Sequence, residues 1–529
     1  MRADPAQVNR ESPVESAIEI GTVPTDGNLD NIGSRYLRAA VYSGFVGGAS
    51  QLLNGLTLVI LARHLGLRNF GVYSLVTSLI GIVVGLSSMG QNSILAKMLP
   101  QYYVSNRKLG GAIFADVLIL TSAGLILFCL ILFLLSNWIA VRVYDDVSLT
   151  GVFRLSAFLT LTVSLFYLTS SAVAGLQDFK VYSGAMLVRS ILFLVLAAGA
   201  RISGLSGALV GQLLATLLTL LLLLAIVVKL GRARFPGDIK PVFSAEILSI
   251  VAKFALPTWL LILLSLPAYW WLNTLLARDT GFAQVGLFGV AYSFAQLIMI
   301  FPGSLYVPAM TFMAEAHALS EPQMFRRLLS SNVHGMWALT LPLALACAVL
   351  SPLLVGALFG AAYSAAAPLV SVMSFTALVM VIIGLINTAL VASGRLWQAF
   401  GIGLAWAVLF FVLGLVCIPR WGAMGAAAVL GVSHVFYFIG LFVYSRFALG
   451  VVYSGLGRLV IVTIPAFSLA VAIIVSFRGV ALYSMAALLL SSMIAVEWFW
   501  VCDGPEKALL WRLGGKLQMS RRRIGLCLS

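Results

Sequence analysis

The sequence has few charged residues for its length: Asp, Glu, Lys and Arg make up 10% of 529 residues. Soluble domains carry roughly 25% charged residues, and 61% of this chain is hydrophobic. A soluble fold is excluded, because so apolar a chain could not keep a wet surface. Lipid is the expected solvent for most of the chain, and the formal charge of +15 has to be placed relative to a membrane.

Cysteine is also scarce, with five residues scattered along the chain and no CxxC pair. This spacing gives no sign of a disulfide framework or a cysteine metal site. The N-terminus lacks the apolar segment of a signal peptide. Its prolines, glycines and acids predict a disordered cytoplasmic leader over residues 1–34.

Long hydrophobic runs, in contrast, recur along the whole chain, and a spanning helix needs about 20 apolar residues. They do not alternate as the strands of a membrane barrel would. The sequence predicts an all-α integral membrane protein of about fourteen transmembrane helices. The predicted helices cover 39–62, 70–96, 112–136, 154–175, 182–200, 205–228, 254–277, 286–313, 335–358, 369–392, 398–418, 422–445, 459–477 and 480–500.

The basic residues support this count and orient the chain. With the N-terminus in the cytoplasm, 24 of the 33 Lys and Arg fall on cytoplasmic segments and eight on outer ones. That bias follows the positive-inside rule and places both termini in the cytoplasm. The last Arg, Arg189, lies within a predicted helix.

An internal repeat divides the chain. Leu61, Ala62, Arg63, Gly66 and Gly71 recur 215 residues later as Leu276, Ala277, Arg278, Gly281 and Gly286. A second glycine cluster, at 204–208, recurs at 422–426. Six helices per repeat keep both halves in one orientation, which predicts a parallel repeat around a central cleft. The predicted divisions are an N-lobe (35–228), a cytoplasmic linker (229–246), a C-lobe (247–446), two extra helices (447–502) and a basic cytoplasmic tail (503–529).

Several segments resemble a known family. They are LARHLGLRNFGVYSLVTSL (61–79), SSMGQNSILAKMLPQY (87–102), VGLFGVAYSFAQLI (285–298) and IPRWGAMGAAAVLG (418–431). Their order and spacing resemble the polysaccharide-biosynthesis flippases, the Wzx-like branch of the multidrug/oligosaccharidyl-lipid/polysaccharide exporter superfamily. The resemblance covers roughly 35–445.

The resemblance implies a flippase that carries a lipid-linked oligosaccharide, usually on undecaprenyl diphosphate, to the outer leaflet of the bacterial inner membrane. It implies no cofactor and leaves H⁺ or Na⁺ coupling open. A monomer is expected, and other polysaccharide-assembly proteins are candidate partners. Multidrug export by the same superfamily is the alternative. Many drug exporters use an acid in the first or seventh helix, and here 39–62 and 254–277 contain no Asp or Glu.

Arg189 is the sharpest candidate for a substrate contact. A charged Arg in mid-span costs about 2.5–3.5 kcal/mol on insertion scales and usually faces a cavity or a partner. Three alternatives are open. Arg189 is a cation of the cleft that attracts a diphosphate, or it snorkels toward the membrane surface, or it forms a structural pair with Asp116, an acid inside helix three that could also serve in coupling.

Further candidates for the cleft have two origins. Cationic side chains at cytoplasmic helix ends could attract a diphosphate or simply anchor the helices; these are Arg35, Arg38, Lys97 and Lys253. Polar and aromatic side chains fall on the helices that line the cleft in the family, where they could contact a sugar or only join helices. These are Gln51, Asn54, Gln91, Asn92, Tyr269, Trp270, Asn273 and Gln296.

A membrane glycosyltransferase or polymerase is the remaining alternative. Such an enzyme needs an acid or base in a watery pocket. The predicted spans hold only Asp116, His434 and Glu497, and the sequence has no HExxH or P-loop motif. The composition therefore favours a transporter over an enzyme.

Overall fold

The computed structural model describes residues 29–88, 107–176, 178–234, 241–243, 267–318, 321–453, 456–476 and 479–496. The side chains of 29–44, 86–88 and 107–110 are outside this description. Within it every regular element is a helix. Eight of these helices are long and apolar enough to cross a membrane. The predicted all-helical membrane class is confirmed.

Thirteen helices are described here under their own labels. They are α1 (Leu29–Ser88), α2 (Arg107–Trp138), α3 (Thr150–Gly175), α4 (Phe179–Leu196), α5 (Ala200–Arg234), α6 (267–280), α7 (Phe282–Ala318), α8 (Pro322–Val349), α9 (Ser351–Phe359), α10 (Ala367–Ala392), α11 (Leu396–Ala448), α12 (Leu456–Ser476) and α13 (Gly479–Val496). Most of α10 is buried, among α7, α8 and α11. Helix α1 starts within the segment predicted as a disordered leader.

Three of the helices contain a sharp bend, in each case at a glycine. Helix α1 has 60 residues, about 90 Å at 1.5 Å per residue, three times the hydrocarbon thickness. Its break is at Gly66, with φ 70° and ψ 173°. Helices α5 and α11 break at Gly204 (φ 58°, ψ −133°) and Gly422 (φ 54°, ψ −132°). Side chains disfavour such positive φ values, so glycine sets these positions.

The nearly equal angles at Gly204 and Gly422 belong to a larger structural match. Gly207 lies against the carbonyl oxygen of Gly199, and Gly425 lies against that of Cys417. Each member of the first pair is 218 residues before its counterpart. The glycines that repeat in the sequence therefore perform one task twice: they let the chain fold back closely on itself after a sharp bend.

The other repeated glycines bring α1 and α7 together. A Cβ added to Gly71 would collide with the carbonyl oxygen of Phe282, and one added to Gly286 would collide with that of Leu67. Leu67 and Phe282 are 215 residues apart, as are Gly71 and Gly286. Gly71 contacts Phe282, and its repeat counterpart Gly286 contacts Leu67, which is the repeat counterpart of Phe282. A local two-fold axis between the segments produces this reciprocal contact.

On one side of this crossing, polar contacts join α1 to α9 and to the segment that follows α9. Arg63 donates from Nε to the carbonyl of Leu358 at 2.6 Å, and its Nη2 donates to that of Ala357. These carbonyls are at the end of α9, where a cation satisfies them and the helix dipole. The Tyr363 hydroxyl donates to the carbonyl of Ala62 at 2.8 Å. The charge pattern of the sequence predicts that this side is the outer face.

Two further side-chain contacts, of Tyr144 and of Arg68, involve residues close to the crossing. The hydroxyls of Tyr144 and Thr274 are 2.9 Å apart, and the Tyr144 ring is 6.0 Å from that of Phe282. Burial raises the pKa of Tyr144 to about 12. Arg68 forms an ion pair with Asp146 at 2.9 Å. The segment between α2 and α3 is therefore fastened to α1 near its bend, and to α6 and α7.

Pro302 and Pro308 lie inside α7 without breaking it. The helix runs continuously from Phe282 to Ala318. A proline removes one backbone donor but keeps a helical φ. The sharp bends are at glycines with positive φ instead.

Substitution at the crossing tests its packing. We expect Gly71→Ala to destabilise the protein by about 1–3 kcal/mol, because the new methyl group must displace backbone rather than a flexible side chain. The measurement is the thermal midpoint of the purified protein in detergent. Gly81→Ala is the control, since nothing lies within 4 Å of a Cβ there. Equal midpoints for the two variants would contradict the close crossing.

Candidate substrate site

Arg189 lies on α4, a helix whose start is fixed by Asp178. The Asp178 carboxylate accepts from the amide of Val181 at 3.1 Å and caps the helix. Arg189 follows in the middle of the helix and is half-buried. Among the described residues it forms no ion pair, and its buried Nε has no hydrogen-bond partner.

Two aromatic rings of α3 hold the Arg189 guanidinium. Its Cζ lies 5.3 Å from the centre of the Phe166 ring and 6.0 Å from that of Tyr167. Contacts between a cation and a ring contribute about 0.5–2 kcal/mol, the larger values when water is excluded. The rings orient the cation without neutralising it. Its charge therefore remains available to an anion.

Helices α1 and α5 add a polar pair beside this cation. The buried Tyr73 hydroxyl donates to Oε1 of Gln212 at 3.0 Å, and it is close enough to Arg189 to feel its charge. The Gln212 amide nitrogen keeps two N–H donors. The group combines an unpaired cation, a hydroxyl, an amide and two aromatic faces. We name these residues, Arg189, Tyr73, Gln212, Phe166 and Tyr167, the Arg189 group.

The sequence identified Arg189 but not the other four members of the group. Gln212 could have been found, since it is a polar residue in the apolar stretch LVGQLLATLLTLL (209–221). Tyr73, Phe166 and Tyr167 gave no such signal. Aromatic residues are common throughout the predicted spans, and only the packing of α1 and α3 against α4 separates these three from the rest.

Of the alternatives for Arg189, the described residues do not show the structural pair with Asp116. Asp116 is buried near the start of α2, and its two carboxylate oxygens accept from the amides of Val242 and Phe243, each at 2.9 Å. Two amides of the linker thus bind the carboxylate that one alternative paired with Arg189. Phe243 has a φ of +46°, a strained value for a large side chain, and the charge-assisted bonds offset that strain.

The described contacts of the candidates on α6 and α7 are with residues outside the Arg189 group. The Tyr269 ring is 4.4 Å from that of Tyr292. The Asn273 side chain is buried, donates to the carbonyl of Tyr269 at 3.1 Å, and has an Oδ1 with no hydrogen-bond partner among the described residues. Trp270 lies beside the hydroxyl of Tyr144, and Gln296 is exposed.

The remaining candidates are not brought to the Arg189 group by any described contact. On α1, Gln51 is exposed and Asn54 is half-buried. The others lie outside the described side chains, so their proposed roles stay predictions. They are Arg35, Arg38, Lys97, Lys253, Gln91 and Asn92.

Comparison with known proteins places the chain in a family. The family described as "Polysaccharide biosynthesis protein" matches residues 36–312, about half of the chain. A curated relative, the EPS I polysaccharide export inner membrane protein EpsE of Ralstonia solanacearum, is 30% identical over 170 residues. That match covers 31% of this chain and 38% of the relative, so the chain spans well under half of that protein.

Solved structures confirm the fold. The lipid II flippase MurJ in an inward closed conformation superimposes with a TM-score of 0.67 at 11% identity, over 87% of this chain and 99% of that one. An inward-facing multidrug resistance MATE family transporter of the MOP superfamily gives 0.64 at 13% identity, over 76% of this chain and 94% of that one. The chain has the fold of these transporters, as the sequence resemblance implied.

Removing the Asp116 carboxylate should free the linker. We expect trypsin to cleave Asp116→Ala within 229–246 about tenfold faster than the wild type, since two bonds to a charged acceptor are lost. Asp116→Asn keeps one acceptor oxygen and should lie between them. The cleavage rate at this site is read by mass spectrometry of the fragments.

Asp279→Asn removes an exposed acid elsewhere and serves as the control. Its cleavage rate should match the wild type. Equal rates for Asp116→Ala and the wild type would show that the two amide bonds do not hold the linker in solution.

Proposed function

Because the chain belongs to the polysaccharide biosynthesis protein family, we propose that it moves a lipid-linked oligosaccharide from the cytoplasmic to the outer leaflet of the inner membrane. The cargo would supply a cell-surface polysaccharide. The name of the EpsE relative, an export inner membrane protein, supports both the membrane and the class of cargo. We further propose undecaprenyl diphosphate as the lipid carrier.

The unpaired charge of Arg189 is the observation that carries this proposal. A diphosphate and a sugar headgroup cannot enter hydrocarbon unaided, because desolvating charged and polar groups without partners is costly. The Arg189 group offers one cation for the diphosphate. Its amide and hydroxyl could contact sugar oxygens, and its ring faces could stack on sugar rings.

The proposed movement is alternating access between an N-lobe and a C-lobe around a two-fold axis along the membrane normal. The reciprocal glycine crossing and the bends at Gly204 and Gly422 support this division. The contacts of Arg63, Tyr144 and Tyr363 fasten the lobes at the predicted outer face. A cleft closed there would open toward the cytoplasm, where the cargo would be loaded. We propose fourteen crossings, with the last two outside both lobes.

Export of cationic drugs fits the site less well. A binding site for cations needs acidic or aromatic groups without a competing positive charge. The one side chain of the Arg189 group that is charged at neutral pH is a cation, and Asp116, the acid described inside α2, is bound by the linker. The charge of the group therefore favours an anionic cargo.

Substitution of Arg189 tests the proposal in a strain that lacks the chromosomal gene. We expect Arg189→Gln to lower surface polysaccharide about 10- to 100-fold at equal protein level, since one contact with a charged ligand is lost. Lipid-linked intermediates, measured by mass spectrometry, should accumulate. Arg189→Lys, which keeps the charge but not the planar fork, should restore part of the activity.

Arg201→Gln is the matched control, because Arg201 is exposed and lies on the predicted outer face. It should behave as the wild type. Normal polysaccharide with Arg189→Gln would remove Arg189 from the cargo site. Drug hypersensitivity of the deletion strain with normal surface polysaccharide would contradict the proposed function as a whole.

A further inference from the structure

A group of arginines far from Arg189 in sequence lies at the turn that follows α11. The helix ends at Ala448, and Gly450 takes a φ of +66°. Two arginines from different helices converge on this turn. Arg326 of α8 donates from Nε to the carbonyl of Leu449 at 2.8 Å. Arg395, just before α11, donates from Nη1 to the carbonyl of Ala448 at 3.3 Å.

The turn holds both guanidinium groups in place. The Arg395 Nη1 also donates to the hydroxyl of Tyr444 at 3.1 Å. The Arg326 guanidinium lies flat against Gly450, where an added Cβ would come within 3.0 Å of its Cζ. Ser330 donates to the carbonyl of Val452 at 3.0 Å. Glycine at position 450 therefore permits the close approach.

Most donors of these side chains remain unused. A guanidinium has five N–H donors, and the bonds above use the Nε of Arg326 and the Nη1 of Arg395. Arg327 follows Arg326 in the chain, Arg446 is two residues before Ala448, and both side chains are exposed. None of the four arginines forms an ion pair within the described part of the chain. We name Arg326, Arg327, Arg395 and Arg446 the arginine turn.

Capping of α11 explains only part of this arrangement. Cations do satisfy the last carbonyls of a helix, and two bonds achieve that here. Four uncompensated charges exceed what a helix dipole of about half a charge requires. The excess charge and the free forked donors suit a phosphate, which guanidinium groups bind in a bidentate manner.

The apolar residues around the turn indicate where that phosphate comes from. Phe447, Val452 and Trp397 are 80%, 74% and 63% exposed. Arginine beside exposed aromatic residues at a helix end is typical of the interface between membrane and water. A ligand that brings both a phosphate and an acyl chain would cover the charged and the apolar surface together.

We propose that the arginine turn binds the phosphate headgroup of an anionic phospholipid in the cytoplasmic leaflet. The acyl chains would lie along Phe447 and Trp397. The turn leads into α12, which packs on α8 through a hydrogen bond from Trp337 Nε1 to Thr463 Oγ1 at 3.0 Å. A bound lipid would therefore fasten the point at which the two last helices join the rest of the protein.

The test is native mass spectrometry of the purified full chain, titrated with phosphatidylglycerol or phosphatidylcholine. We expect phosphatidylglycerol to bind wild type at least about tenfold more tightly than phosphatidylcholine. The double variant Arg326→Gln/Arg395→Gln should lose that preference. The control pair Arg201→Gln/Arg420→Gln removes the same charge at the predicted outer face and should keep it.

A second double variant guards against misfolding of the turn. No described backbone bond involves Arg327 or Arg446, so Arg327→Gln/Arg446→Gln leaves the turn intact and should still weaken phosphatidylglycerol binding. Unchanged binding in both arginine-turn variants would overturn the proposal. Displacement of phosphatidylglycerol by an equal concentration of undecaprenyl diphosphate would also overturn it, because the turn would then be a cargo site.

Discussion

The contact between backbone and backbone at Gly71 and Gly286 is the constraint on which the rest of the structure depends. At this point α1 and α7 approach too closely for any side chain. Only glycine at both positions allows it, and the reciprocal partners, Phe282 and Leu67, set the relative orientation of the two helices. The polar contacts of Arg63 and Tyr363 form where they do because the crossing has already brought the segments together.

A close crossing of this kind also suits movement. Small residues at helix interfaces in membranes let backbones approach, and packing rather than hydrophobicity drives the association. No side chain separates the two backbones at Gly71 and Gly286, so a change in the angle between the helices would pivot at this contact. The hydrogen bonds of Arg63, Tyr144 and Tyr363 would then hold one angle until they are exchanged for others.

Much of this architecture could be predicted from the sequence, and the reasons are physical. Hydrophobic length identifies spanning helices, and the repeated glycines predicted a repeat. The structure shows that these glycines lie at the bends at Gly204 and Gly422 and at the crossing. The prolines of α7 leave that helix continuous, because a proline keeps a helical φ while glycine can take a positive one. The partner of Asp116 could not be predicted, since backbone amides carry no signal in a sequence.

The site was predicted only in part, for a related reason. A lone Arg inside an apolar helix stands out, whereas Tyr73, Phe166 and Tyr167 became meaningful only through the packing of three helices around α4. The pairing of Tyr269 with Tyr292 likewise depends on how α6 and α7 meet. A sequence shows which residues are costly to bury. Which of several equally apolar residues contact them is decided by tertiary packing.

Transport in a purified system tests the account most directly. Proteoliposomes would hold the full chain and the lipid-linked oligosaccharide isolated from a deletion strain. An impermeant glycosidase added outside digests the exposed headgroups, and the digested fraction is measured over time. We expect digestion beyond the outer-leaflet fraction with wild-type protein, and no more than that fraction with Arg189→Gln. Digestion that stops at the outer-leaflet fraction with wild-type protein, as in protein-free liposomes, would contradict the proposed function.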